Sequence, residues 1–259
     1  MEYPISIEVI GLTLRGMAHK PLGDSQSVYP IVILFHGITG SKIDDNFLFV
    51  RFSRELMKHG IGSVRFDFSG SGESDGAFAE MTFSGKILEG LEIVKMVKKI
   101  DWVDPSTIML MGHSMGGAIA TQVAKEIPDE IHKVCLWCPA GNMVGKAKAY
   151  FEQYPKLPNG NVDLEGLELG LSFYKDLKNR NLYDGITSYK GPLMIIHGTN
   201  DQIVPPEYGQ KYYDTYQDND VKIHFIQGAN HVFSKLSWLD ELFKQSTHFL
   251  KDGFKNYEV

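Results

Sequence analysis

The sequence predicts an α/β protein with a mostly parallel central sheet and helices on both faces. Short apolar segments alternate with longer segments of helical periodicity along most of the chain. Apolar segments such as Pro30–Phe35 are uninterrupted, which is typical of strands that are covered on both faces. At 259 residues, the chain is long enough for one large domain with a sizeable core.

The N-terminal segment departs from this pattern. Tyr3–Ile10 and Leu12–His19 flank Gly11 and alternate apolar with polar residues, which predicts an antiparallel hairpin at the edge of the sheet. The elements that follow are a buried strand at Pro30–Phe35, a helix at Asp44–Gly60, a strand at Ile61–Phe68 and a long helix that Thr82 caps and that runs to Ile100. Because strands and helices alternate from here on, the later strands are expected to be parallel.

The segment Ile108–Ala120 predicts a buried strand, a sharp turn and a helix. Its turn, Gly112-His113-Ser114-Met115-Gly116, has the G-x-S-x-G pattern of a nucleophile elbow. Glycines two residues to either side of Ser114 leave room for the strained backbone that raises the serine hydroxyl. The helix that follows points its first amides toward any negative charge that forms beside the serine.

The alternation is interrupted once in the second half of the chain. Residues 141–191 have no predicted buried strand and carry tyrosines and phenylalanines among charged residues, so we expect an inserted cap over the strand ends. Outside this insertion the predicted strands are Lys133–Trp137, Leu193–His197 and Lys222–Ile226, and the predicted helices are Glu207–Tyr216 and Ser237–Leu250. The expected organisation is one domain, residues 1–259, with the cap at 141–191.

Composition and charge exclude several classes of partner. The formal net charge of −6 and the lack of an extended Lys/Arg cluster disfavour a nucleic-acid surface. No apolar run approaches the length of a bilayer span, and the first ten residues lack the basic-then-apolar order of a secretory signal. A cytoplasmic protein without membrane association is therefore expected, and a homodimer is left open.

A glycine-rich turn follows the strand at Ile61–Phe68. Gly70, Gly72 and Gly76 miss the G-x-G-x-x-G spacing by one residue, and no suitably placed acidic residue follows. The spacing therefore favours a structural turn over a dinucleotide site, and no cofactor is expected.

The two cysteines form a C-x-x-C motif within a strand. Redox pairs of this spacing usually open a helix, whereas Val134, Leu136 and Trp137 predict a buried strand that Pro139 ends. Side chains three residues apart on a strand point to opposite faces, so Cys135 and Cys138 are expected to be separate core residues.

A serine nucleophile needs a histidine base that a carboxylate orients. His231 follows the last strand in a loop without competing structure, and Asp201 follows the strand at Leu193–His197. His36, His113 and His197 also lie at strand ends, where packing or loop hydrogen bonds are the usual explanation; a metal site made of these three lacks ligands at helical spacing and an acidic partner. The chain order Ser114, Asp201, His231 therefore predicts a catalytic triad.

This order resembles that of the α/β-hydrolase superfamily. The motifs that carry the resemblance are HGITG, DFSGSGES, GHSMGG, HGTNDQIVPPE and GANHVF, in this order along nearly the whole chain. The pattern is similar to that of bacterial cinnamoyl and feruloyl esterases, in which an insertion covers the site. Enzymes of that group often have Gln where this chain has Met115, a position that contributes its backbone amide.

The resemblance implies a serine esterase that forms an acyl-enzyme on a hydroxycinnamate ester. It implies an oxyanion hole made by the backbone amides of Ile38 and Met115. Gly37, Asp163 and Tyr174 are the expected substrate contacts, and the alternative that the aromatic residues of the insertion only pack the cap stays open. A general carboxylesterase, a monoacylglycerol lipase and a thioesterase stay open within the resemblance. A non-catalytic ligand-binding protein of the same fold is the alternative of another class, against which the complete triad argues.

Overall fold

A computed structural model describes residues 1–23 and 28–254. The strands in these ranges are β1 (Glu2–Val9), β2 (Leu12–His19), β3 (Tyr29–Phe35), β4 (Gly62–Phe66), β5 (Val103–His113), β6 (Lys133–Trp137), β7 (Val162–Leu164), β8 (Leu167–Leu169), β9 (Leu193–Gly198) and β10 (Val221–Ile226). The α-helices are α1 (Leu48–Lys58), α2 (Phe83–Val97), α3 (Met115–Glu126), α4 (Met143–Gln153), α5 (Leu171–Leu177), α6 (Pro206–Thr215) and α7 (Leu236–Lys251).

Eight strands form one sheet in the order β1-β2-β4-β3-β5-β6-β9-β10. β2 pairs antiparallel with both β1 and β4, and every other pair in this sheet is parallel. Ile10 and Gly11 both have positive φ, 48° and 73°, as a two-residue hairpin turn requires, so β1 ends one residue earlier than predicted. The predicted α/β class with an N-terminal antiparallel hairpin is confirmed.

Alternate side chains of the parallel strands enter two different cores. Ile33, Leu110 and Leu136 pack with α2, α3 and α6, whereas Val32 and Met111 pack with α1 and α7 on the opposite face. Burial on both faces explains why these strands read as continuous apolar runs. The sheet is thus the middle layer, and its parallel strands β4, β3, β5, β6, β9 and β10 all have their carboxyl ends at one edge.

The insertion at 141–191 folds as α4, a small antiparallel pair of β7 and β8, and α5. Phe151, Phe173 and Leu177 join the core on the α2–α3 face, which attaches the cap to the sheet layer. The β7–β8 pair has three residues in each strand. Segments this short carry no readable alternation, and the sequence did not predict them.

The helices α1 and α2 are shorter than predicted, since α1 begins at Leu48 and α2 ends at Val97, and two strand ends also differ from the sequence prediction. β5 begins at Val103, five residues before Ile108. Its first residues include Pro105 and Ser106, which are exposed and need not be apolar, so the apolar run in the sequence marks only the buried part of the strand. β4 ends at Phe66 because Asp67 turns inward and accepts hydrogen bonds from the backbone amides of Lys42 and Glu73.

The two cysteines are free and buried, but the expectation that they point to opposite faces is wrong. Cys135 and Cys138 pack in the same core, on the α1–α7 face. Cys138 lies beyond the end of β6 and has a φ of 43°, so strand alternation does not extend to it. Burial raises the pKa of the Cys135 thiol to about 12, as expected of a core residue.

Within residues 1–23 and 28–254, no helix combines the length and the apolar character that crossing a bilayer requires.

Candidate active site

Ser114 lies between the last residue of β5 and the first residue of α3, with φ 56° and ψ −122°. A Cβ on Gly116 would lie 1.9 Å from the carbonyl oxygen of Phe35, and one on Gly112 would lie 2.1 Å from that of Gly116. The turn therefore accepts no side chain at either glycine. The amide of Ser114 donates to the carbonyl of Trp137, 2.9 Å away, which ties the elbow to the neighbouring strand.

Asp201 and His231 form a buried hydrogen-bonded pair at the ends of β9 and β10. The distance from Nδ1 of His231 to Oδ2 of Asp201 is 2.7 Å. Oδ1 of Asp201 accepts from the amides of Ile203 and Val204, each at 2.9 Å. With Nδ1–H donated to a carboxylate, Nε2 of His231 is left as the acceptor nitrogen that a general base needs.

The pKa values of this pair are displaced in the direction that suits a base. Burial by itself would raise the pKa of the Asp201 carboxyl, but hydrogen bonds from His197 and His231 hold it far below its usual range. Burial lowers the pKa of His231 and outweighs the opposing effect of Asp201. The arrangement therefore favours an ionised Asp201 and a neutral His231.

Ser114 and His231 both line a cleft of about 560 Å³ at the carboxyl edge of the sheet. Loops after β3, β5, β9 and β10 form its floor, and the cap forms one wall. Within the described ranges, no hydrogen bond joins the Ser114 hydroxyl to His231. Such bonds often tighten only when substrate is bound. The structure thus brings the three predicted triad residues to one site.

The amides predicted for an oxyanion hole belong to residues that lie next to Ser114 or in the lining of its cleft. Met115 is the first residue of α3, and Ile38 follows β3 in the loop that lines the cleft. Neither amide donates a hydrogen bond within the described part of the chain. A Cβ on Gly37 would lie 3.4 Å from the Cβ of Ser114, so the predicted contact residue Gly37 adjoins the nucleophile.

His36 holds the loop that carries Ile38. Its Nε2 accepts the amide of Phe68 at 3.0 Å, and Nδ1 donates to the carbonyl of Gly37 at 2.7 Å. An imidazole that accepts at one nitrogen is neutral, and burial correspondingly lowers the pKa of His36. His197 donates from Nε2 to the carbonyl of Val204 at 2.8 Å. Both histidines therefore serve loop geometry, as predicted, and Nε2 of His197 also lies 3.4 Å from Oδ2 of Asp201.

His113 is also hydrogen-bonded at both nitrogens, but its partners were not predicted. Nδ1 lies 3.0 Å from Oδ2 of Asp44, and Nε2 lies 3.0 Å from the backbone carbonyl of His231. The side chains of His113 and Asp44 are 3% and 4% exposed. Asp44 lies in the loop before α1, 69 residues from His113, and no spacing in the sequence indicates the pair.

The cap supplies a different set of contacts from the predicted one. Its residues that line the cleft are Lys146, Tyr150, Tyr154, Leu164 and Glu165. The rings of Tyr150 and Tyr154 meet edge to face with centroids 5.7 Å apart, and the Tyr154 hydroxyl donates to Oε1 of Glu165 at 3.4 Å.

The structure does not bring Asp163 or Tyr174 to the cleft lining. Oδ1 of Asp163 accepts the amide of Gly166 and closes the turn between β7 and β8. The ring of Tyr174 stacks on Phe151, with centroids 5.7 Å apart, inside the cap. Both side chains are engaged in the cap's own structure, because the turn at Glu165 directs the next carboxylate along the chain into the cleft instead.

The glycine-rich turn after β4 is structural, as predicted. Gly70, Gly72 and Gly76 all have positive φ. A Cβ on Gly72 would lie 2.3 Å from the carboxyl group of Asp67, which fills the space inside the turn. The carboxylate accepts backbone amides of this loop, so the turn holds an anion of the chain itself.

Comparison with protein families gives one match over most of the chain. The model of the prolyl oligopeptidase family matches residues 50–257, a range that contains Ser114, Asp201 and His231. Among curated proteins, the lysophosphatidylserine lipase ABHD12 of Danio rerio is 26% identical over 210 residues, which are 78% of this chain and 51% of that protein. The chain spans about half the length of the curated relatives it matches.

Solved structures of high similarity include one that holds ferulic acid. The structure described as ferulic acid bound to Est1E from Butyrivibrio proteoclasticus has a TM-score of 0.84 and 25% identity, and the match covers 95% of this chain and 97% of that one. A monoacylglycerol lipase from Paleococcus ferrophilus has a TM-score of 0.65 and 23% identity, with 86% and 96% of the two chains covered. The expected resemblance to α/β-hydrolase esterases is confirmed.

Proposed function

The chain belongs to the prolyl oligopeptidase family, and we propose that it acts as a serine esterase on hydroxycinnamate esters. The observation that carries the esterase proposal is the convergence of Ser114 and the Asp201–His231 pair on one cleft, beside two backbone amides that donate no hydrogen bond within the described residues. Nucleophile, oriented base and oxyanion donors are the parts that acyl transfer needs.

Each part has one task in the reaction. Nε2 of His231 accepts the proton of Ser114 as the hydroxyl attacks the ester carbonyl, and the amides of Ile38 and Met115 stabilise the negative oxygen that forms. The resulting imidazolium protonates the departing alcohol, which leaves an acyl-enzyme on Ser114. A water molecule, activated by His231 in the same way, then releases the acid.

Aromatic and acidic groups of the cap support a phenolic acyl group. The rings of Tyr150 and Tyr154 offer edges and faces against which a planar acyl group can pack. The carboxylate of Glu165 lies beside the Tyr154 hydroxyl and can accept a hydrogen bond from the phenol of a feruloyl group. The relative with 25% identity that holds ferulic acid gives the same substrate class independent support.

Lysophospholipids are the second candidate, because relatives that match about three quarters of the chain are lysophosphatidylserine lipases. The charges of the cleft disfavour them. The carboxylates of Asp45 and Glu165 and the ammonium group of Lys146 line the cleft. The carboxylate of Asp44 also lines it and is paired with His113. An anionic head group would meet an excess of carboxylates, whereas a feruloyl ester is uncharged.

The test compares four esters and one amide. Purified wild type and Ser114→Ala are assayed on methyl ferulate, p-nitrophenyl butyrate, a monoacylglycerol and lysophosphatidylserine, with p-nitrobutyranilide as the amide of matched acyl chain. We expect kcat/KM for methyl ferulate to exceed that for both lipids, and all turnover to depend on Ser114. Preference for either lipid would reject the hydroxycinnamate assignment, and preference for the anilide would reject ester hydrolysis as the main activity.

A further inference from the structure

The hydrogen-bond partners of His113 require a doubly protonated ring. Oδ2 of Asp44 and the backbone carbonyl of His231 are both acceptors, and each lies 3.0 Å from a different ring nitrogen of His113. A neutral imidazole has one N–H and can satisfy only one of them. Within a site this buried, the second bond forms only if the ring is an imidazolium with Asp44 as its counter-ion.

The backbone of Asp44 indicates that its side chain is needed there. Its φ of 59° and ψ of 172° lie in a region that is essentially restricted to glycine. Asn46 and Phe47, in the same turn, also have positive φ. Glycine would relieve this strain at Asp44 but would remove the carboxylate that pairs with His113. The loop thus keeps a strained aspartate where its local conformation favours glycine.

We propose that the Asp44–His113 ion pair is a positioning element for His231, holding the histidine loop through the bond from Nε2–H of His113 to the His231 carbonyl. The inference rests on the proposed function, because it takes His231 as the general base. His113 and Asp44 are positioning residues, since they act on the reaction through His231.

The charge of His113 has a second consequence for the base. The rings of His113 and His231 are 4.9 Å apart, so a cation on His113 disfavours a second cation on His231 and lowers its pKa. Asp201 raises the pKa of His231, whereas His197 lowers it. Asp45 adds to the negative potential at His113, and His36, which also faces Asp44, is neutral for the reason given above.

The protonation state of His113 is measured without any assay of activity. Long-range 1H–15N NMR of the side chains distinguishes imidazolium from neutral imidazole, and His113→Gln identifies the signal by its loss. We expect wild-type His113 to be protonated at both nitrogens at pH 7 and to be neutral in Asp44→Asn. A neutral His113 in the wild type would overturn the proposal, whatever esters the enzyme hydrolyses.

Kinetics separate the charge from the hydrogen bond. In Asp44→Asn the amide of asparagine can donate to Nδ1 of a neutral His113, whose Nε2–H still reaches the His231 carbonyl. We therefore expect the plateau kcat of this variant on p-nitrophenyl butyrate to fall several-fold less than that of His113→Phe, and the acid limb of its kcat/KM profile to move up by at least ~0.5 pH unit. His113→Phe removes the bond itself, so its plateau kcat should fall about tenfold with KM nearly unchanged, and His113→Gln should restore part of it.

Asp240→Asn and His248→Gln, at exposed positions of α7, are the matched controls and should leave both plateau and profile unchanged. Unchanged kcat and pH profile in Asp44→Asn and His113→Phe, with only a lower thermal midpoint, would reduce the pair to a structural ion pair and reject the proposal. If His113→Phe does not fold, Asp44→Asn and the NMR measurement still decide it. Loss of all activity in Ser114→Ala tests the proposed function separately.

Discussion

Oδ2 of Asp201 accepts the Nδ1–H of His231 at 2.7 Å, although the two residues belong to separate loops 30 positions apart. The other carboxylate oxygen accepts two backbone amides, from Ile203 and Val204, and these bonds prevent the carboxylate from rotating. One side chain is thus held by its own loop while it orients the next one. The tautomer of His231 follows from this relationship.

Asp201→Asn is expected to lower kcat by a factor on the order of 10³–10⁴, because an amide that donates to Nδ1 would force the proton onto Nε2. KM for p-nitrophenyl butyrate should change little, since Asp201 is 2% exposed and its side chain lies beneath His231. Steady-state kinetics at pH 7 measure both values. A loss below tenfold would show that Asp201 does not orient the base.

Ser114→Ala should remove activity by about 10³-fold or more while the fold is retained. The hydroxyl of Ser114 donates no hydrogen bond within the described residues, and the bond from its amide to Trp137 is kept by alanine. Circular dichroism and the thermal midpoint check the fold, and p-nitrophenyl butyrate checks the activity. Substantial turnover by the purified variant would assign the nucleophile elsewhere.

Gly116→Ala should destabilise the chain strongly, whereas Gly145→Ala should not. An added methyl at Gly116 would lie 1.9 Å from the carbonyl of Phe35, so backbone must move. At Gly145, inside α4, nothing lies within 4 Å of the added methyl. We expect Gly145→Ala to stabilise by roughly 0.5–1 kcal/mol and Gly116→Ala to cost roughly 3 kcal/mol or more. Urea unfolding of the two variants measures the difference, and equal midpoints would contradict it.

Glu165→Gln is expected to raise KM for methyl ferulate several-fold. KM for methyl cinnamate, which lacks the phenol, should not change. The reason is that a carboxylate is a stronger acceptor for a phenolic hydroxyl than an amide. Asp163→Asn is the matched control in the same hairpin, since Asp163 closes the turn at Gly166 and lies outside the cleft lining. A larger effect of Asp163→Asn than of Glu165→Gln would restore Asp163 as the substrate contact.

The unfolding free energy should decrease as the pH rises from about 6.5 through about 9, owing to His113. Burial lowers the pKa of His113, but Asp44 and the His231 carbonyl more than offset burial and raise it to about 9. The pKa of His113 is higher in the folded chain than its value near 6.5 in the unfolded chain. His113 therefore stabilises the folded state fully below pH 6.5, and this stabilisation is lost as the pH rises through about 9. The expected decrease in the unfolding free energy over this pH range is on the order of 3 kcal/mol.

Urea unfolding between pH 6 and pH 9.5 tests this dependence. His113→Gln should flatten the curve over this interval, and His248→Gln, an exposed histidine on α7, should not. Parallel curves for wild type and His113→Gln would show that the pair does not titrate in this range.

Local patterns predicted the elements of the fold well, but not always their ends. β6 runs from Lys133 to Trp137 as predicted, because a strand that is buried along its whole length consists mostly of apolar residues, which the sequence shows directly. β5 extends back to Val103, which pairs with Tyr29 of β3, although Pro105 and Ser106 between Val103 and Ile108 are exposed. Exposed residues that extend a strand leave no apolar signal in the sequence.

The sequence by itself determined the elbow at Ser114, the order of the triad and the two-faced sheet. Backbone sterics at Gly112 and Gly116, and the periodicity of apolar residues, act between near neighbours and can be read locally. Only the tertiary structure decided that Asp44 meets His113, that Glu165 rather than Asp163 faces the cleft, and that Cys138 joins the core of Cys135. Those outcomes depend on where distant loops pack and on the direction of single side chains after a turn, which no spacing along the chain specifies.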